Sequence, residues 1–155
     1  MTDARFEDGQ EAPLNLGALD AEDLTIISAL VQDAVFPATE MRWDRGANRF
    51  ALLLNRFRWE EGPGRALSPE RVQSLLAFDG VEGVASNGID RNDSDTVLSI
   101  LSVTFDATDA PAGHVILTLA GDGAIRLSVE ALEVALKDVT KPYVAPSKKT
   151  PGHPE

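Results

Sequence analysis

The segment Asn55-Arg56-Phe57-Arg58-Trp59 is the first stretch of the chain whose residue types and spacing can do chemistry. A guanidinium presents a planar fork of donors matched to a carboxylate or a phosphate. Strand-like alternation places Arg56 and Arg58 on one face and Phe57 and Trp59 on the other. Half of the fourteen basic residues fall in the same region: Arg42, Arg45, Arg49, Arg56, Arg58, Arg65 and Arg71. Seven arginines against five acids leave residues 40–71 at +2, whereas the rest of the chain carries −13 of the total −11. The expected site is therefore a sheet surface around Asn55, Arg56, Arg58 and Trp59 that recognises an anionic group or an acidic partner. The plainer alternative is a strand edge kept soluble, and kept from pairing, by its arginines.

Other constellations are weaker. Asp90, Asn92 and Ser94 have the alternating oxygens of the first half of a calcium loop, but Asp95 replaces the required glycine and Leu101 stands where the bidentate glutamate belongs. Read as a motif the match fails, and Asp90, Asp93 and Asp95 are only the first candidates should a cation bind. His114 opens a strand-like run, and Ser86, Ser99 and Ser102 lack the G-x-S-x-G elbow of a serine hydrolase. None of the glycine-rich turns has the spacing and lysine of a phosphate-binding loop.

Composition narrows the classes further. The 155 residues include 25 acids and 14 bases, and the resulting field repels nucleic acid and anionic membranes. Without cysteine there is no disulfide, thiolate nucleophile or iron–sulfur cluster, and His114 and His153 cannot supply a multi-histidine metal site. No cofactor is expected. The N-terminal residues lack the basic and apolar regions of a signal peptide, and no apolar run approaches the about 20 residues that span a bilayer. A cytoplasmic setting, with a protein or a second copy of the chain as partner, is the expectation.

These residues must be positioned by a small set of elements. Asp20 caps a helix expected from Ala21 to Val35, with Leu24, Ile27, Leu30, Val31 and Ala34 as its apolar stripe and Pro37 forbidding continuation. Met41 to Trp59 is expected to form a hairpin turning at Arg45–Asn48, its central run Phe50–Leu54 apolar at every position and so covered on both faces. The run 71–89 reads as a strand interrupted near Asp79-Gly80. In the run 97–105 the more apolar face is Val97, Ser99, Leu101, Val103 and Phe105. Gly121-Asp122-Gly123 between two alternating runs marks a second hairpin. Residues 130–139 fit either a short helix or a bent strand, the latter being preferred because no breaker follows Val129. The segments beginning at Leu75 and Ile125 share an apolar strand, an acid (Asp79, Glu130) and a second apolar strand, a pattern suited to the corners of a two-layer sheet.

The runs LGALDAEDLTIISALVQDAV, NRFALLLNRFRWE, TVLSILSVTF and AGHVILTLAGDGAIRLSVEALEVALKDV resemble an uncharacterised bacterial family, domain of unknown function 2948. The resemblance implies a bacterial cytoplasmic setting and brings no catalytic residues with it. The fold expected is α+β: an N-terminal helix on a curved antiparallel sheet of six or seven strands, barrel- or sandwich-like. One globular domain at 14–143 is expected between disordered tails at 1–13 and 144–155. The function expected is a non-enzymatic binding or assembly module, and the alternative is a small hydrolase dependent on carboxylates or a divalent cation.

Overall fold

A computed structural model describes residues 13–57, 70–90, 95–139 and 143–144. The helix begins where Asp20 can cap it, its carboxylate accepting from the Asp23 amide at 2.8 Å. It ends sooner than the apolar stripe suggests: α1 is Ala21–Leu30, with Val31 as C-cap. Asp33 turns into a positive φ of 65°, donates its amide to the Ile100 carbonyl, and the Ala34 carbonyl accepts from the Ile100 amide. The backbone that would have extended the helix is thus claimed by a strand. Val31 and Ala34 are still buried, but as parts of that crossover rather than of a helical face.

Eleven strands form among the described residues, not six or seven. They are β1 (Asn15–Ala18), β2 (Val35–Pro37), β3 (Met41–Asp44), β4 (Arg49–Phe57), β5 (Glu70–Asp79) and β6 (Val81–Asn87). The second half supplies β7 (Val97–Ala107), β8 (Gly113–Leu119), β9 (Ala124–Val129), β10 (Val134–Asp138) and β11 (Tyr143–Val144). Their order is β1-β10-β5-β4-β2-β7-β8-β9-β6, with β3 also on β4 and β11 also on β5. Every pairing is antiparallel. The path is open, with β1 and β6 as its ends. Residues 130–139 are a bent strand segment rather than a helix, since Val134–Asp138 pairs with both β1 and β5. Tyr143 and Val144 pair with Arg71 and Glu70, so strand pairing reaches into the start of the expected C-terminal tail. The tails themselves, apart from Pro13 and Val144, lie outside the described residues.

Two sharp bends fold this sheet over itself. Gly80, at φ 69°, joins β5 to β6, and residues Glu130–Glu133 join β9 to β10. The bends lie side by side: Val134 pairs with Phe78 on one side of the corner and Val129 with Val81 on the other. The Glu130 amide donates to the Gly80 carbonyl and the Asp79 amide to the Glu133 carbonyl across it, at 2.9 and 3.0 Å. The two segments whose sequences resemble each other are therefore one two-stranded ribbon that turns the corner together. Both halves of the folded sheet contribute to a single core, from Phe50, Leu52, Leu76 and Phe78 to Val115, Leu117, Ile125 and Leu127.

The face of β7 is not the one its composition suggests. Leu98 and Ile100 are buried, whereas Val97 and Leu101 are 63% and 46% exposed. The pairing with β8 shifts register between Ile100 and Ser102, so a bulge carries Val103 onto the core face by changing the alternation in mid-strand. The helix packs against β7 and β1, and the Ser28 hydroxyl accepts the Val103 amide at 2.9 Å just beyond the bulge. The β8–β9 hairpin turns through Gly121 and Asp122, both at positive φ, as the right-handed twist of paired strands requires.

Candidate functional site

The core face of β4 runs Phe50, Leu52, Leu54, Arg56, each two residues from the next and each buried. Strict alternation therefore sends Arg56 inward, and it is 0% exposed. This corrects the expectation of a surface arginine. A guanidinium is tolerated there because its donors are matched one by one. Nη2 lies 2.9 and 3.2 Å from the two carboxylate oxygens of Asp138, Nε donates to the Ser74 hydroxyl at 2.9 Å, and Nη1 to the Phe57 carbonyl at 3.1 Å. Ser74 sits directly across from Asp138 in the β5–β10 register and donates to it at 2.6 Å. The Leu14 amide donates to the same carboxylate, and the Asp138 amide donates back to the Leu14 carbonyl. Three strands and the entry to β1 are braced by one buried ion pair. A group so enclosed cannot meet a ligand without the sheet opening.

The opposite face of this end of β4 is also engaged. Asn55 is half-buried and its side-chain oxygen accepts from Arg71 Nη1 at 3.2 Å, while the Arg71 guanidinium carbon lies 4.3 Å from the centre of the Phe57 ring. Asn55 and Arg56 thus point to different sides of the sheet and form no common surface. Arg58 and Trp59 lie outside the described residues.

The acidic candidates do not gather. Asp90 and Asp95 are exposed, Asp93 lies outside the described residues, and no cluster of three metal-binding side chains occurs among those described. His114 is half-buried in β8, opposite Asp106 on one neighbour and Ser128 on the other. No helix of the described residues is long and apolar enough to cross a membrane.

A concave feature among the described residues lies at the other end of the hairpin. Met41 and Trp43 on β3, Phe50 on β4, Val84 and Ser86 on β6 and Ile125 on β9 surround a cleft of about 210 Å³. Ala38 and Thr39, from the single 3-10 turn that precedes β3, close one end. Met41, Trp43 and Val84 are partly buried and pack on the core, so the cleft is a mouth through which the core itself meets solvent. Its two lips are β3 and β6, each of which has a paired neighbour on one side only among the described residues.

A family model for a protein of unknown function, DUF2948, matches residues 14–153. The chain belongs to that family. No curated protein and no solved structure matched it. The match spans the DUF2948 member from β1 through β11, and so includes both the Arg56 brace and the mouth.

The mouth leaves a faint mark in the sequence of β6. Ser86 alternates with Val84 on the cleft side of β6 but is exposed, and offers no bulk opposite Trp43. Apart from Val84, the segment from Gly83 to Gly88 is small or polar. A strand so short of bulk opposite a Met-x-Trp strand leaves space between them.

Proposed function

We propose that this protein is a non-enzymatic binding module and that its ligand occupies the mouth between β3 and β6. The observation that carries this is the half-buried pair Met41 and Trp43 facing Val84 and Ser86 around an open apolar cleft. Concave, mainly apolar clefts with a few hydroxyls are the usual form of a small-ligand site. The face around Asn55, Arg56, Arg58 and Trp59 supports the same class of function less well, because burial withdraws Arg56 from it. A cytoplasmic setting fits this reading through the cysteine-free composition.

The test compares three proteins purified from cell extract: the natural chain, Ser86→Phe, which fills the mouth, and Arg71→Gln, which alters the opposite face. Native mass spectrometry is expected to show a small bound molecule on the natural chain and on Arg71→Gln, and none on Ser86→Phe. Retention by Ser86→Phe with loss in Arg71→Gln would place the ligand on the outer face and sink the proposal.

A further inference from the structure

Resting on that reading, we infer that the mouth takes an uncharged molecule with one planar aromatic ring system and a single hydrogen-bonding group. Size sets the first limit. A closed cavity of about 150 Å³ holds a benzene ring, so this open cleft of about 210 Å³ has room for one ring, or two fused, with any substituent directed to its open side.

The walls set the second. Trp43 and Phe50 offer aromatic surface and Met41 a thioether, groups that attract ring faces and edges. Among the described residues no lining side chain is charged; its polar side-chain groups are the indole N–H of Trp43 and the hydroxyls of Thr39 and Ser86, both exposed at the rim. A charge carried into the apolar part of the cleft would give up water for walls that offer no counter-charge. The chain's net charge of −11 adds a general disadvantage for anions. For a cation the faces of Trp43 and Phe50 give partial compensation, but Ala38, Val84 and Ile125 form the rest of the wall and carry no counter-charge. A neutral ring carrying one hydroxyl satisfies the lining without leaving a buried charge.

Benzyl alcohol, benzylamine and phenylacetate share a ring and differ in charge, and Trp43 reports binding by fluorescence once Trp59→Phe has removed the other tryptophan. Benzyl alcohol is expected to give a saturable change with an affinity at least ten-fold above either charged analogue, lost in both Ser86→Phe and Thr39→Phe. Equal or tighter binding of benzylamine or phenylacetate, still lost in those variants, would overturn the ligand class and leave the mouth as the site. Absence of saturable binding by all three, or binding that survives in both filled variants while their near-ultraviolet circular dichroism stays native, would overturn the class and the site together.

Discussion

The two ends of β4 solve the same problem in opposite ways. At each, the core-facing alternation of the strand comes near solvent. Around Arg56 the end is closed by charge: the guanidinium, Asp138 and Ser74 are buried and satisfy one another across three strands. Around Phe50 the end is left open, because its neighbours on β6 are too small to meet Trp43. The contrast reverses the intuition that charged residues mark a site and apolar ones mark packing. In this chain the buried arginine is a fastening, and the end with the open cleft keeps its charges outside, as the solvent-facing Arg49–Asp79 pair.

The largest effect should come from breaking the closed end. Asp138→Ala strands a buried guanidinium and is expected to cost about 3–5 kcal/mol, read from the urea-unfolding midpoint. The companion Arg56→Met, Asp138→Leu removes both charges together and should recover most of that loss, stopping short of the natural chain because Ser74 and the Leu14 amide lose their acceptor. A double variant as unstable as the single one would show that the pair contributes more than its own neutralisation. At the open end, Trp43→Leu trims a half-buried side chain and is expected to cost less than about 2 kcal/mol, below the full-burial range for an aromatic. It should nonetheless weaken benzyl alcohol binding severely, measured by titration calorimetry because the substitution removes the fluorescent reporter, so stability and binding part company there. The smallest change belongs to the outer face, where Arg71→Gln removes a guanidinium stacked on Phe57 and should cost about 0.5–1 kcal/mol by thermal unfolding.

What the chain disclosed directly was local. Asp20 announced the helix start, Gly121-Asp122-Gly123 the β8–β9 turn, and the paired acidic bends at Asp79 and Glu130 the corners of the sheet, because each depends on residues within a few positions. The helix end was concealed, since Asp33 is fixed by Ile100 from a distant strand. The face of β7 was concealed by a one-residue bulge that changes alternation without changing composition. Strands β1, β2 and β11, of four, three and two residues, exist through their partners and carry no period of their own. Arg56 is the instructive case. Counting by twos from Phe50 already put it on the core face, but its counter-charge is 82 residues away, so nothing nearby made burial reasonable. The mouth was hidden for a related reason, being an absence of bulk on β6 that matters only once β3 is known to lie opposite.

The bond from the Leu14 amide to Asp138 spans 124 positions of the chain. On a ribosome adding roughly 5–20 residues per second, the first strand therefore waits on the order of 6–25 s for its partner to be made. Throughout that interval β1 has no neighbour to pair with, and α1 waits for β7 before its apolar side is covered. β1 and α1, made well before the strands they pack on, are therefore among the last of the described elements to dock, and are segments a chaperone would find exposed on the nascent chain.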